Sequence, residues 1–206
     1  MKKLIIFIAV AVLFTYSADS FAQTFGVRGG LNMSNMLSKS DAHTADLKAI
    51  VGFHIGGTAE FEITDMFSFE TGLFLMTMGF KNEGELVDYK TNLLYLNIPI
   101  TAKARYELDN FNLYGLFGPY IGLGLSGKYK ADDESVDVKW GSGDSDDLKR
   151  FDFGWTIGAG IEYEAFMAGL SYNLGLANIA AQTEGGYKAK NRAFLISVGY
   201  RFGVNK

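Results

Sequence analysis

Several residue types on which common site chemistry depends are absent or scarce in this chain of 206 residues. Cysteine is absent, which excludes disulfides, thiolate catalysis and zinc–thiolate sites. The two histidines, His43 and His54, lie in different segments, so neither a His-rich metal set nor a Ser-His-Asp arrangement is indicated. His54 lies on the polar face of its segment, and we expect it to be an interior hydrogen-bond partner rather than a base. With 19 basic residues against 23 acidic ones the net charge is −4, so no basic excess could neutralise phosphates. We therefore expect no nucleic-acid partner.

Proline is also scarce, with 2 residues, whereas glycine numbers 25 and aromatic residues make up 15% of the chain. Disordered and collagen-like chains contain far more proline than this. Abundant glycine together with abundant aromatic residues is typical of β-sheets in which backbones approach closely. The composition therefore indicates a folded, sheet-rich chain.

The N-terminal segment has the order of a secretory signal peptide. Two lysines precede the apolar run 4–14, which is too short to cross a bilayer as a helix, since that takes about 20 residues. Small residues then lead to Ala22. We expect cleavage between Ala22 and Gln23, so that 1–22 is removed and 23–206 forms a single barrel domain.

From residue 23 onward, apolar residues alternate with polar or small ones, which is the pattern of a strand with two different faces. In 151–163, one face carries only Phe, Trp, Ile, Ala and Tyr, and the other carries Asp, Gly, Thr and Glu. Eight segments have this pattern: 24–34, 50–62, 67–80, 92–106, 111–126, 151–164, 166–175 and 192–203.

The connections between these segments alternate in length. Those after the second, fourth and sixth segments are minimal, whereas the others are long and polar, the longest running from about Gly127 to Arg150. Short turns on one rim, long loops on the other and an even strand number are the plan of a bacterial transmembrane barrel. We predict an all-β fold, an eight-stranded antiparallel up-and-down transmembrane β-barrel with short periplasmic turns and long extracellular loops.

A soluble lipocalin-like ligand-binding barrel is the alternative, because it would alternate in the same way with its apolar face inward. The charged face of this chain is rich in glycine, which a narrow lumen needs and a surface in water does not. Apolar side chains are therefore expected to face lipid. Aromatic residues near segment ends fit the interfacial girdles of a membrane barrel: Tyr95, Phe111, Phe151, Tyr163, Phe194, Tyr200 and Phe202.

The inward polar faces collect four acids and four bases in the turn-side half of the barrel. Burying an unpaired charge costs several kcal/mol, so these groups have to pair. We predict one neutral, structural ion-pair network that plugs this half of the lumen, with a proton or ion path through the same residues as the alternative. The residues are Arg28, Glu60, Glu62, Glu70, Lys103, Arg105, Glu162 and Arg201.

Both prolines lie inside predicted strands, where proline removes a hydrogen-bond donor from the ladder. Counting back from the turn at 107–110, the register pairs Pro99 with Gly118 and Pro119 with Ile98. The sequence therefore predicts a local defect, such as a bulge, within one hairpin.

The longest loop is rich in acids between residues 132 and 147. Its 144–147 stretch, Asp-Ser-Asp-Asp, resembles part of a calcium loop, although the glycine and distal glutamate of a helix-loop-helix site are missing. Basic residues in the same loop offset most of the charge. A solvated extracellular loop is the simpler interpretation, and divalent-cation binding is the alternative. The acids are Asp132, Asp133, Glu134, Asp137, Asp144, Asp146 and Asp147.

Five stretches, in order and spacing, resemble the PorT-like outer-membrane β-barrel family of Bacteroidetes-type bacteria, and the resemblance covers nearly all of 23–203. It implies an eight-stranded outer-membrane barrel and treats both prolines as family features. Phe202 resembles the C-terminal aromatic residue that barrel-assembly machinery reads. The stretches are FGVRGGLNMS at 25–34, YLNIPI at 95–100, GPY at 118–120, LSYNLGL at 170–176 and GYRF at 199–202.

These observations predict a small integral outer-membrane barrel without catalysis, cofactor or metal, acting in envelope structure or through its loops. Its expected partners are outer-membrane lipid, the barrel-assembly machinery and an unidentified ligand of the extracellular loops, and we expect a monomer. The resemblance adds a second possibility, an accessory barrel of a protein secretion or gliding system. An eight-stranded lipid-modifying enzyme would need a hydrophobic lumen for an acyl chain, and the charged lumen argues against it.

Overall fold

The computed structural model of the protein describes residues 23–39, 44–83, 88–131, 134–143 and 145–202. The predicted signal peptide, including Ala22, lies outside the described residues. The strands are β1 (Gln23–Lys39), β2 (Thr44–Asp46), β3 (Lys48–Glu62), β4 (Phe67–Glu83), β5 (Asp88–Glu107), β6 (Asn112–Ala131), β7 (Glu134–Asp137), β8 (Phe151–Tyr163), β9 (Phe166–Gly175) and β10 (Lys188–Phe202), with one turn of 3-10 helix at Glu184–Gly186.

Eight long strands form a closed antiparallel ring. Their order is β1, β3, β4, β5, β6, β8, β9 and β10, and β10 pairs with β1 from Phe202 opposite Phe25 to Lys188 opposite Lys39. The short strands β2 and β7 extend the ring beside β1 and β6. The predicted eight-stranded up-and-down barrel is confirmed. The described residues contain no helix that is long and apolar enough to cross a membrane.

The strands extend farther on the side of the long connections, the loop side, than the sequence predicts. The predicted segment 111–126 is β6, which continues to Ala131 and forms a hairpin with β7. Part of the expected loop from Gly127 to Arg150 is therefore sheet. A bulge leaves Leu125 unpaired and reverses the phase of β6, so that Lys128 and Lys130 face outward and Tyr129 faces the lumen. The pattern of apolar residues facing outward therefore ends, although the hydrogen-bond ladder continues.

The apolar faces point outward. Phe153, Trp155 and Ile157 are 45%, 41% and 59% exposed, and the ring of Trp155 stacks on that of Phe117 on the outer wall, with centroids 4.9 Å apart. On the opposite face Glu60 is 3% exposed. A soluble barrel would have the reverse orientation, so the lipocalin-like alternative is not favoured.

Backbone crowds the inner face, as the glycine content indicates. A Cβ atom added at Gly30 in β1 would collide with the carbonyl oxygen of Ile196 in β10. At Gly154 in β8 it would collide with the carbonyl oxygen of Leu174 in β9. Glycine at these positions lets neighbouring strands approach while leaving lumen volume for the large charged side chains.

The predicted register of the proline hairpin is wrong by two residues. Pro99 lies opposite Tyr120 rather than Gly118, and Pro119 pairs with Trp155 across the β6–β8 ladder. The tight turn encloses only two residues, because the N–H of Leu108 donates to the carbonyl of Phe111 at 2.9 Å. A shift of two leaves every side chain on its predicted face, since the side-chain period is two.

Each proline lies beside a gap in a ladder. The β4–β5 pairs stop between Thr71 and Phe74, and the hydroxyl of Thr71 donates instead to the Pro99 carbonyl at 2.8 Å. The β5–β6 pairs skip the two positions between Pro99 and Ala102, opposite Pro119. The defects are adjacent, but they fall in two ladders rather than one.

Candidate functional site

The turn-side half of the lumen holds the eight charged residues singled out from the sequence. They project inward from six strands, because each occupies the polar phase of its strand: β1, β3, β4, β5, β8 and β10. Six of them are buried, Arg28 is half-buried, and the side chain of Glu62 is 40% exposed at the rim. The inner turn side of the barrel is therefore filled by ionic groups.

Lys103 lies at the centre of this network, and its side chain is fully buried. Its Nζ donates to Oε1 of Glu162 at 2.5 Å and to Oε2 of Glu60 at 2.9 Å, and lies 3.6 Å from Oε2 of Glu70. The ring of Tyr114 covers the same ammonium group, with its centroid 4.8 Å from Nζ. Three carboxylates and one aromatic face thus surround a single cation.

Two guanidinium groups complete the pairing of Glu162 and Glu60. Arg105 donates from Nε to Oε2 of Glu162 at 2.9 Å and from Nη2 to Oε1 of Glu60 at 2.7 Å. Nη1 of Arg201 lies 3.1 Å from Oε2 of Glu162. The hydroxyl of Ser68 also donates to Oε1 of Glu60, at 2.5 Å. Each carboxylate is held by several donors, which is the condition under which burying charges is tolerable.

Arg28 and Glu62 connect to opposite sides of the network. Arg28 donates to Oε2 of Glu70 at 2.7 Å, and Glu62 lies 3.8 Å from Nη1 of Arg105. All eight residues therefore belong to one connected set of ion pairs. Because Glu62 reaches solvent, the part of the network inside the lumen contains four bases and three acids. The carboxylate of Glu62, at the rim, balances the remaining positive charge.

A small cavity of about 50 Å³ lies at mid-lumen, between His54, Arg28 and Asn173. Nε2 of His54 is 2.9 Å from the hydroxyl of Ser197, whereas Nδ1 of His54 and Nε of Arg28 are buried with no hydrogen-bond partner among the residues that the structure describes. A water occupies about 15 Å³ on this measure, so the cavity has room for roughly three. Its lining is mixed, and the unpaired nitrogens of His54 and Arg28 are possible partners for enclosed water.

An apolar cluster fills the loop-side half of the lumen. Side chains from the strands meet side chains from the long connections, which fold back into the barrel mouth. Trp140 packs edge-on against Tyr95, with ring centroids 5.8 Å apart. The buried members are Met36, Met76, Met78, Phe80, Leu93, Tyr95, Val138, Leu148, Ala177, Ile179, Ala180, Ala189, Ala193 and Leu195.

The placement of Tyr95 in an interfacial girdle is wrong. Tyr95 is buried in the lumen, because its strand carries Leu94 and Leu96 on the outer face. The amide of Asn191 donates to its hydroxyl at 3.3 Å and to Oδ2 of Asp152 at 2.9 Å. Sequence reasoning assigned a role to neither Asp152 nor Asn191, although the alternation placed Asp152 on the polar face of β8. His54 lies in the lumen as its polar phase predicts, and Ser197, its partner, could have been found from the same phase.

Two of the described acids of the acidic loop accept hydrogen bonds from the backbone. Oδ2 of Asp147 accepts the N–H of Lys139, and Oδ2 of Asp146 accepts the N–H of Gly143, both at 2.8 Å. Asp132, Asp133 and Asp144 lie outside the described residues. Within the described ranges, no group of three or more His, Cys, Asp or Glu side chains could hold a metal ion.

A family model for the outer membrane protein beta-barrel domain matches residues 21–181, which is most of the chain. The chain belongs to this family. The match includes every charged lumen residue except Arg201, which lies on the final strand. A comparison with curated proteins gave no match. Family membership and the outward apolar faces identify an outer-membrane barrel.

Solved outer-membrane barrels are similar to this chain at low identity. The attachment invasion locus protein Ail of Yersinia pestis is 19% identical, with 87% of this chain and 98% of that chain covered and a TM-score of 0.46. Neisserial surface protein A is 16% identical over 86% and 95%, with a TM-score of 0.44. The N-terminal barrel domain of Pseudomonas aeruginosa OprF is 14% identical over 86% and 97%, with a TM-score of 0.32. Similarity at this level supports no inference about ligands.

Proposed function

We propose that this protein is a non-catalytic, non-conducting barrel that contributes to the structure of the outer membrane and presents its loop side to partners. The observation that carries the proposal is that the lumen is filled from both ends. Paired charges occupy the turn side and apolar side chains the loop side. Between them, within the described residues, lies a cavity of about 50 Å³, which is too small for a continuous water path.

Conductance across a planar lipid bilayer tests this proposal directly. The purified protein, shown to be folded by its heat-dependent mobility on electrophoresis, is inserted at low and high salt, with protein-free bilayers as the baseline. We expect no steady current above that baseline. A steady, salt-dependent current through the folded wild type would contradict the proposal and favour an ion path through the lumen charges.

The non-catalytic part of the proposal has its own test. The folded protein is incubated with phospholipid vesicles, and released fatty acid is measured. We expect none, because paired charges fill one half of the lumen and packed apolar side chains the other, which leaves no channel for an acyl chain. Deleting the gene and comparing secreted proteins tests the accessory secretion role. We expect the same secreted proteins with and without the gene. If secretion were lost, the accessory secretion role would be favoured over the structural one.

Export and assembly complete the proposed function. We infer that a signal peptide is removed after Ala22, that barrel-assembly machinery inserts the chain, and that the barrel is a monomer of the PorT-like kind. The stretches at 95–100 and 118–120 support that assignment. N-terminal sequencing of the protein from outer membranes should begin at Gln23. Crosslinking in intact membranes should give no specific dimer.

A further inference from the structure

Among the residues that the structure describes, the basic side chains outside the lumen lie at one end of the barrel. Of the 19 lysines and arginines, three lie outside the described residues and four in the lumen network, and the remaining twelve all lie on the loop side. The turn-side rim carries acids and, within the described ranges, no base outside the lumen: Glu62, Asp65, Glu107, Asp109 and Glu164. The turn-side rim is therefore acidic, whereas the loop side carries lysines and arginines interspersed with acids.

Four of the loop-side lysines form a row across neighbouring strands. Lys48 lies opposite Lys81, Lys81 opposite Lys90, and Lys90 opposite Lys130. Opposite residues lie about 5 Å apart on one face, so the row runs about 15 Å around the outer wall. Lys128, on the same face as Lys130, lies 4.0 Å from Asp137. Like charges opposite each other destabilise a sheet, so the facing pair of Lys90 and Lys130 favours an anion beside it.

The row lies at the edge of the apolar band. Leu94, four residues from Lys90 on the same outer face, lies nearer the middle of the membrane. The ammonium groups thus lie at the loop-side edge of the apolar wall. The phosphate groups of a bilayer lie at this level, between the acyl chains and water.

An open groove of about 500 Å³ connects the cations with the apolar wall. Its lining includes Lys90, Lys128 and Lys130 together with Val51 and Phe53, which are 67% and 54% exposed. The groove therefore offers ammonium donors and an apolar floor to the same ligand. A free anion would contact only the ammonium groups, whereas a lipid would contact both the ammonium groups and the apolar floor.

We propose that this groove binds a phosphate-bearing lipid of the leaflet that faces the loops. The phosphate accepts hydrogen bonds from the ammonium groups of Lys90, Lys128 and Lys130, and an acyl chain lies against Val51 and Phe53. The loops of outer-membrane barrels face the cell exterior, so this is the outer leaflet. The site is independent of whether the lumen conducts.

Lipid retention measured by native mass spectrometry tests the site. The full-length protein in detergent is mixed with phosphatidic acid or with phosphatidylcholine of the same acyl chains. Wild type should retain phosphatidic acid preferentially. The variant K90Q/K128Q/K130Q should bind phosphatidic acid on the order of a hundredfold more weakly, since each lysine near anionic lipid contributes about fivefold. Phe53→Ala should weaken binding without changing the charge.

The matched control is K39Q/K149Q/K188Q, which removes three loop-side lysines away from the groove and should retain wild-type binding. Equal losses in both triple variants would show an effect of net charge and overturn the proposal. If inorganic phosphate, at the same concentration as phosphatidic acid, displaced the bound lipid, the groove would be an anion site only. That result would also overturn the proposal. If a variant fails to fold, the wild-type preference between the two lipids decides, and equal retention rejects the lipid site.

Discussion

The two halves of the lumen are closed by different chemistry from different parts of the chain. The turn-side half consists of ion pairs whose members all project from long strands, with Lys103 at the centre. The loop-side half consists of apolar side chains, and residues outside the long strands, such as Val138 and Ile179, complete it. A rigid ladder can hold charges within hydrogen-bond distance of several partners, whereas apolar contacts tolerate the looser placement of a folded-back loop.

This difference implies that the halves fail differently when one side chain is removed. In the ionic half a deletion leaves uncompensated charges, which are costly to bury. In the apolar half it leaves a cavity, whose cost depends on how far the neighbours relax. The free energy of unfolding can be measured for each by urea titration of the barrel in lipid vesicles, with folded protein identified by its heat-dependent mobility.

The largest loss is expected for Lys103→Met. Removing this ammonium leaves the carboxylates of Glu60, Glu70 and Glu162 without their shared partner, so the free energy of unfolding should fall by about 5 kcal/mol. The control Lys188→Met makes the same change at an exposed loop-side position and should stay within about 0.5 kcal/mol of wild type. A loss below about 1 kcal/mol would contradict the central role of Lys103.

A smaller loss is expected for Leu93→Ala in the apolar half. Leu93 is 2% exposed, and truncating a buried leucine costs about 3 kcal/mol. Val136→Ala, on the exposed β7 hairpin, is the control and should change little. If Leu93→Ala were more damaging than Lys103→Met in the same urea titration, the ionic half would not be the more sensitive one.

At the cavity between the halves, Ser197→Ala should lower the free energy of unfolding by about 1–2 kcal/mol. The substitution removes the hydroxyl partner of His54 Nε2, and an unsatisfied buried polar group carries a cost of this size. Exposed Ser135→Ala is the control. A neutral result for Ser197→Ala would indicate that water in the cavity replaces the hydroxyl.

The smallest effect is expected at the rim, for Glu62→Gln. Its carboxylate is 40% exposed and 3.8 Å from Arg105, so solvent screens the pair and the loss should be below about 1 kcal/mol. Glu162→Gln, at a fully buried carboxylate, is the matched comparison and should cost several times more. Equal losses at the two positions would mean that Glu62 is an integral member of the network.

The strand positions and the inward residues could be read from the sequence because both depend on a period of two. Arg105 and Glu162 occupy the polar phase of long alternating segments, and any closed barrel with its apolar face outward turns that phase into the lumen. Asp152 shares that phase and was given no role, because phase alone says nothing about which polar residues contact each other.

The loop-side half could not be predicted in this way. Val138 and Leu148 lie in a stretch dominated by acids, lysines and glycines, where no periodicity marks them as core. Tyr95 was misplaced because aromatic residues near a strand end suit both an interfacial girdle and a lumen. The register of the proline hairpin depended on a turn of two residues, which composition alone does not distinguish from a longer one.

The amino-acid sequence by itself determined the strand number, the face of each residue and the charges that have to share the lumen, because alternation is local along the chain. Tertiary structure decided which charges meet, since Lys103 and Glu162 are 59 positions apart and become neighbours only through the registers of several strands. It also decided how the mouth is closed, because the loop segments gain their burial only from a finished barrel. Local periodicity determines whether a side chain points to the lumen or to the outside, whereas contact between residues distant in the chain requires the closed ring.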